Sequence, residues 1–158
     1  MIDQDTVERV SEPILREYKL AFQGLRDTIE AIPAEEWTRG VKPGDIPVRQ
    51  ACHLLHAAEG YSGHRTRVGT RFGVPAESFG RKIAGDAYPD QKAVVAYVDD
   101  VEARIATWVL EKTQQALSGE KKQHSPLNRV VYVLRHTVVH LAYLRRELYA
   151  RGIARPRY

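Results

Sequence analysis

The 158-residue sequence has very little cysteine and no long apolar run. Its single cysteine, Cys52, excludes an intramolecular disulfide. The longest mainly apolar stretch, RVVYVLRHTVVHLAYL, is interrupted by arginine and histidine, so it is too short and too polar to span a bilayer. The N-terminal segment MIDQDTVERVSEP is polar and acidic, unlike a secretion signal. We therefore expect a cytoplasmic protein with no membrane partner.

Several common functional motifs are also missing. There is no glycine-rich phosphate loop, no G-x-S-x-G nucleophile motif and no C-x-x-C pair. The 24 basic and 20 acidic residues are largely intermixed, and no aromatic residues interleave with a basic groove pattern. The net charge of +4 is therefore interpreted as a mixed solvated surface, and nucleic acid is not an expected partner.

Four stretches have the apolar period of an amphipathic helix, and they cover residues 6–32, 48–69, 91–117 and 126–152. Pro13 is expected to mark the first turn of the first helix, because proline is tolerated there and not deeper in a helix. No stretch shows the pattern of a convincing strand. The chain is therefore predicted to be a single all-α domain, residues 1–158, folded as a four-helix bundle of the up-and-down type or with one crossover.

The fourth helix carries the histidine pair HTVVH, His136 and His140. Residues four apart lie on one helix face, roughly 6 Å apart at Cβ, so two imidazoles at this spacing can bind one transition metal. Thr137 replaces the glutamate of the zinc-protease motif, which argues against that class. The pair forms a stripe with Tyr143 and Glu147 at the shoulder of the apolar face, where a pocket between helices would open. The alternative interpretation is two polar residues at the edge of a packed helix.

A third ligand has to come from another element, and the second helix offers HLLHAAE. His56 lies close to Cys52 and Glu59 at one shoulder of the apolar face, whereas His53 points further toward solvent. The sequence therefore favours His56 over His53 as the third ligand, with Glu59 one turn away as a ligand or an orienting group.

The remaining histidines and the cysteine have simpler interpretations. His64 and His124 are expected to be ordinary surface residues. Cys52, among alanine and leucine, is expected to be a small buried hydrophobic residue and not a nucleophile.

The order of these elements resembles the DinB/YfiT-like superfamily of four-helix bundles. The likeness rests on the IPAEEW loop, the VRQACHLLHAAEGY helix and the ending HTVVHLAYLRRELYARGI, and it covers most of the chain. The resemblance implies that one histidine of the second helix joins His136 and His140 in binding a divalent metal, often zinc or nickel. The family's second-helix histidine falls on Leu54, between the two histidines of HLLH, and its glutamate falls on Glu59. Leu141 and Ala142 also depart from the family pattern.

The resemblance further implies a function, since characterised relatives are thiol-dependent S-transferases and isomerases and others are assigned as hydrolases. We expect a metal-dependent hydrolase or a low-molecular-weight-thiol S-transferase that acts on a small molecule. Tyr61, Tyr143 or Glu59 would serve as an acid–base or supporting group, and the connection 69–89 would contribute to the pocket. The alternative is a metal-free, non-enzymatic DinB-like bundle with a binding or stress-related role, as a monomer or a homodimer.

Overall fold

Four long helices make up most of this computed structural model, which describes residues 3–64, 70–72, 74–75, 88–119 and 125–153. They are α1 (Gln4–Glu30), α2 (Pro47–Ser62), α3 (Gln91–Leu117) and α4 (Pro126–Ala150), with short 3-10 turns at Ala34–Glu36 and Pro43–Asp45. The predicted all-α four-helix bundle is confirmed. An antiparallel pair of strands, β1 (Thr70–Arg71) and β2 (Val74–Pro75), was not predicted, because two residues are too few to show an alternating pattern.

Two of the predicted helix boundaries are wrong. α1 does not begin at Pro13 but at Gln4, where the Asp3 carboxylate accepts a hydrogen bond of 2.8 Å from the Thr6 N–H. This cap makes an earlier start favourable, and Pro13 is accommodated inside the helix. α2 ends at Ser62 and not near residue 69, because Gly63 adopts a left-handed conformation with φ of 85°.

Hydrogen bonds between the helices show that α1 and α4 run parallel. The Tyr18 hydroxyl, in the first half of α1, donates to the Val130 carbonyl near the start of α4 at 2.7 Å. Further along both helices, the Arg145 guanidinium donates to the Gly24 carbonyl at 2.8 Å and to the Thr28 hydroxyl at 2.9 Å. Contacts therefore advance in the same direction along both helices.

The other helix pairs complete an up-down-down-up bundle. Gln91, at the start of α3, donates to the Ile29 carbonyl near the end of α1 at 2.6 Å, so these two helices are antiparallel. On α2, His53 contacts His140 of α4, and the later residue Tyr61 contacts the earlier residue Tyr132. α2 and α4 are therefore antiparallel as well. Consequently α2 and α3 are parallel, and the connection between them is a crossover, one of the two topologies left open by the sequence.

The apolar faces of the four helices meet in one core. α1 and α2 each pack against both α3 and α4. Trp37, in the connection between α1 and α2, is buried, and its indole N–H donates to the Pro89 carbonyl at 2.8 Å. No helix in the described part of the chain is apolar enough over its length to cross a membrane. Representative fully buried core residues are Phe22, Leu25, Leu55, Val98, Ile105 and Leu144.

Candidate metal site

Three histidine side chains converge on the surface between α2 and α4. Donor nitrogens of His53, His136 and His140 all lie within 4.8 Å of one another, and this is the one such cluster of potential ligands in the described ranges. The ring centroids of His136 and His140 are 4.3 Å apart, and those of His53 and His140 are 4.8 Å apart. Nitrogens that share a tetrahedral zinc ion at about 2.0–2.1 Å lie about 3.3 Å apart. Small side-chain rotations therefore suffice to place all three nitrogens on one ion.

The antiparallel packing of α2 against α4 explains this convergence. His136 and His140 are half-buried at the edge of the α4 core face, the shoulder position expected from the sequence. On α2, His53 and Tyr61 are eight residues apart and share the side that faces α4. The Tyr61 ring lies edge-on to the Tyr132 ring of α4, with 5.1 Å between the two centroids. His53 contacts α4 two turns nearer its C-terminal end, where the His53 ring lies beside that of His140.

The preference for His56 over His53 is not what the structure shows. His53, although exposed, lies with the α4 pair, and His56 is not part of the cluster. His56 is rotated about 60° from His53 around α2, toward the side where Glu59 contacts α3. The sequence interpretation favoured His56 because it lies at one shoulder of the apolar face of α2, whereas His53 points further toward solvent. The site instead lies nearer the surface.

All three histidines have lowered pKa values. Partial burial of the imidazole against α4 lowers the pKa of His53, although the residue as a whole is exposed, and partial burial together with the neighbouring His53 lowers the pKa of His136. Burial, followed by repulsion from the other two rings, lowers the pKa of His140 to about 4. At neutral pH the three imidazoles are therefore uncharged and each has a nitrogen lone pair available to a metal ion.

The lowered pKa values predict that the metal-free protein loses stability as the pH falls from about 6.5 toward 4. The unfolded chain binds protons at the ordinary histidine pKa of 6.5, whereas the folded His140 resists protonation until about 4, so protons favour unfolding in that interval. We expect the free energy of unfolding to be about 1 kcal/mol lower at pH 5 than at pH 7.5, a value reduced for solvent screening. Urea titrations measure it.

The control for this pH dependence is the double variant His136→Gln/His140→Gln. It should show a smaller fall in stability between pH 7.5 and pH 5 than the wild type. An equal fall in both proteins would contradict the assignment of the effect to these two imidazoles.

The cluster has a closed end and an open end. His136 is flanked by aromatic rings, with the Tyr61 centroid at 5.2 Å and the Tyr132 centroid at 6.2 Å. His53 and His140 instead line a pocket of about 570 Å³. An open coordination position would therefore face this pocket, whose other lining residues are Gly44, Asp45, Arg49, Gln50, Tyr143, Arg146 and Glu147.

Tyr143, predicted as an acid–base or supporting group, lies beside the cluster. It lines the pocket, its ring is edge-on to His140 at a centroid distance of 6.0 Å, and 48% of its surface is exposed. The Arg146 guanidinium lies 5.4 Å from the centre of the Tyr143 ring. The Tyr143 hydroxyl is therefore a hydrogen-bonding group in the pocket wall beside the histidine cluster.

Glu59 occupies a different place from the one predicted. Its side chain is only 2% exposed, and its carboxylate accepts a hydrogen bond of 2.6 Å from the Tyr97 hydroxyl and one of 2.7 Å from Arg104. Glu59 is six residues beyond His53, about 240° around the helix. It therefore connects α2 to α3 on the side of the helix away from α4, and it does not line the pocket.

The other residues singled out in the sequence have simple surroundings. Cys52 is buried, as expected. His64 is half-buried, and its Nδ1 lies 3.1 Å from the Ser62 hydroxyl. His124 and most of the connection 69–89 lie outside the described residues. Tyr132 was overlooked, although it precedes His136 by four residues and therefore belongs to the same stripe.

The sequence analysis also did not identify Asp45 and Gln50 as pocket residues. Asp45 reaches the pocket from the 3-10 turn before α2, and Gln50 reaches it from the first turn of α2. Their position depends on how the connection 31–46 folds over the end of α4. There, Arg151 donates to the carbonyls of Arg39, at 2.8 Å, and Asp45. No local sequence pattern encodes such a long-range contact.

Comparisons with known protein families, with curated proteins and with solved structures give no match for this chain. The geometry of the three histidines and the pocket therefore carries the functional argument.

Proposed function

We propose that this chain is a DinB/YfiT-like metal-dependent enzyme, either a hydrolase or a low-molecular-weight-thiol S-transferase, that acts on a small molecule. Its metal ligands are His53, His136 and His140. The observation that carries the proposal is the convergence of three neutral imidazoles from α2 and α4 at the mouth of an open pocket. The resemblance of the helix order and of HTVVH to that superfamily supports the choice of reaction class.

The donor set fits a divalent transition metal. Three imidazoles suit zinc and nickel, and catalytic zinc sites characteristically use three protein ligands and leave one position open. The absence of a carboxylate from the cluster argues against magnesium or calcium, which prefer oxygen ligands. When bound, such an ion supplies Lewis-acid chemistry that makes a water or a thiol more acidic near neutral pH.

The residues around the pocket have defined tasks in this proposal. Tyr61 and Tyr132 cover His136 and restrict access to the cluster from that side. Tyr143 offers its hydroxyl to a substrate that approaches His140. Further along the pocket, Arg146 and Glu147 provide one charge of each sign for binding polar parts of a small molecule.

Metal content tests the proposal most directly. The untagged protein is stripped with a chelator, dialysed separately against zinc and nickel, and analysed by mass spectrometry of the metal. We expect close to one ion per chain, because a single three-histidine cluster is present in the described part of the structure. No bound metal after reconstitution would contradict the proposal and favour the metal-free bundle.

Activity assays then separate the two reaction classes. The metal-loaded protein is incubated with a panel of small esters, amides and electrophiles, with and without a low-molecular-weight thiol. Product formation that requires the thiol identifies an S-transferase, whereas product formation from water alone identifies a hydrolase. Activity that persists after the metal has been removed would contradict either form of the proposal.

A further inference from the structure

One wall of the pocket beside His53 and His140 is built by the 3-10 turn Pro43–Asp45. Within the turn, the Asp45 N–H donates to the Lys42 carbonyl at 2.9 Å, and the Asp45 carboxylate accepts a hydrogen bond of 3.2 Å from the Lys42 N–H. These local bonds shape the turn but do not fix its place in the bundle. A single 3-10 turn is short, so its position depends on side chains from other elements.

Side chains from both flanking helices hold the backbone carbonyls of this turn. The Gln50 amide, in the first turn of α2, donates to the Gly44 carbonyl. The Arg151 guanidinium, just beyond the end of α4, donates to the Asp45 carbonyl. Two consecutive carbonyls of the pocket wall are therefore held between α2 and α4, the same two helices that carry the three histidines.

Arg151 also holds an earlier part of the connection 31–46. Its guanidinium donates to the Arg39 carbonyl at 2.8 Å and lies 3.4 Å from the Glu36 carboxylate. Only 21% of the Arg151 side chain is exposed. A guanidinium carries five N–H donors in a rigid planar fork, which allows it to bind several acceptors at once. One side chain therefore ties three points of the connection to the end of α4.

The backbone of Arg151 is fixed by the way in which α4 ends. Gly152 has a left-handed conformation with φ of 75°, its N–H donates to the Tyr149 carbonyl at 3.0 Å, and the Ile153 N–H donates to the Leu148 carbonyl at 3.0 Å. This is the Schellman pattern of a helix C-terminus. Ile153 packs against the hydrophobic core. The guanidinium is therefore attached at a defined point of the bundle.

The turn that Arg151 holds lies between two cavities. Arg151 does not line the pocket of about 570 Å³ beside the histidines. It lines a neighbouring cavity of about 520 Å³, and Asp45 and Glu147 line both cavities. The turn is therefore part of the partition that separates the pocket from this second cavity.

We propose that Arg151 is a positioning residue for the metal pocket, because it holds the turn Pro43–Asp45 against the end of α4 and so keeps the pocket separate from the neighbouring cavity. The inference rests on the proposed function, in which this pocket receives the substrate. Since Arg151 is not a member of the histidine cluster, its loss changes access to the pocket without removing a metal ligand.

Hydrogen–deuterium exchange of the metal-free protein tests whether Arg151 holds the wall. In Arg151→Ala we expect residues 36–46 to exchange at least about 10-fold faster than in the wild type, because hydrogen bonds from a charged group are among the stronger ones in proteins. Residues 94–109 of α3 should change by less than about twofold, because Arg151 does not contact them.

Arg39→Ala is the matched control, because it removes an arginine from the same connection. The Arg39 side chain is 74% exposed and its guanidinium pairs with Glu36 at 2.8 Å, whereas its backbone carbonyl, the acceptor for Arg151, remains in the variant. We expect wild-type exchange. Arg151→Lys keeps the charge but not the planar fork, so it should show the changes of Arg151→Ala to a smaller extent. It also keeps the proposal testable if the alanine variant does not fold.

Chemical modification of histidine tests whether the held turn limits access to the pocket. Diethyl pyrocarbonate is added to the metal-free protein, and mass spectrometry follows the modification of each histidine. His140 lines the pocket and should react at least about threefold faster in Arg151→Ala, because the joined cavities give the reagent a second route. His136 lies on the same helix but is flanked by Tyr61 and does not line the pocket, so its rate should not change.

The outcomes separate this inference from the proposed function. Both measurements use the metal-free protein, so a chain that binds no metal would contradict the proposed function and still decide the role of Arg151. Unchanged exchange of residues 36–46 in Arg151→Ala would overturn the positioning role, as would equally faster exchange in α3. Equal acceleration at His136 and His140, or no acceleration at His140, would show that the turn does not control access to the pocket and would overturn the proposal.

Discussion

His53→Ala is expected to lower the affinity for zinc at least about 100-fold, whereas His56→Ala is expected to change it by less than about threefold. Removal of residues that merely support a ligand already costs about 10- to 100-fold, so loss of one of three ligands should cost at least as much. His53 belongs to the cluster in which all donor nitrogens lie within 4.8 Å, and His56 does not. Competition titration with a chromophoric chelator measures both affinities.

The two variants form a matched pair, since each removes one imidazole from the same helix. His140→Ala serves as the positive control, because its loss breaks the pair on α4. Thermal unfolding of the metal-free variants checks that each protein still folds. Zinc binding that survives in His53→Ala but disappears in His56→Ala would restore the interpretation drawn from the sequence alone and contradict the present assignment.

Glu59→Ala is expected to lower the free energy of unfolding by about 3 kcal/mol. Removal of this buried carboxylate leaves the Tyr97 hydroxyl and the Arg104 guanidinium without one of their partners, and loss of one member of a buried ion pair typically costs about 3–5 kcal/mol. The Arg104 side chain is 33% exposed and can turn partly toward water, which places the effect at the lower end of that range. Urea unfolding of the metal-free protein measures it.

Asp100→Ala provides the control, because Asp100 is the other carboxylate near the same arginine. Its side chain is 72% exposed and lies 3.9 Å from the Arg104 guanidinium, so its removal should change the stability by less than about 0.5 kcal/mol. If Glu59 were instead an acid–base group, Glu59→Gln would abolish activity at nearly unchanged stability. That outcome would contradict the structural role assigned to it.

The fold was largely predictable because helical periodicity is a local property of the sequence. The four apolar faces and the histidine spacing on α4 could be read directly, since residues four apart share a face in any α-helix. The start of α1 was missed because the proline rule was given more weight than the Asp3 cap. The crossover remained an open choice, because helix direction depends on contacts such as Arg145 with Gly24, which are distant in the sequence.

The candidate site was predictable in part for the same reason. His136 and His140 needed only the geometry of one helix, but the third histidine depended on how α2 is rotated against α4. That rotation is fixed by burial and by the Glu59 contacts with α3, which no single helix encodes. A 60° error in rotation is enough to exchange His53 for His56.

The separation of the three histidines along the chain makes a metal ion at this site a cross-link between distant segments. More than half of the sequence lies between His53 and His136, so in the unfolded chain His53 is not held beside the pair His136 and His140. One bound ion would close that long loop, and at a free zinc concentration 100 times the Kd it would stabilise the folded state by about 2.7 kcal/mol. The site would then couple metal supply to folding itself, with tight binding only after α2 has packed against α4.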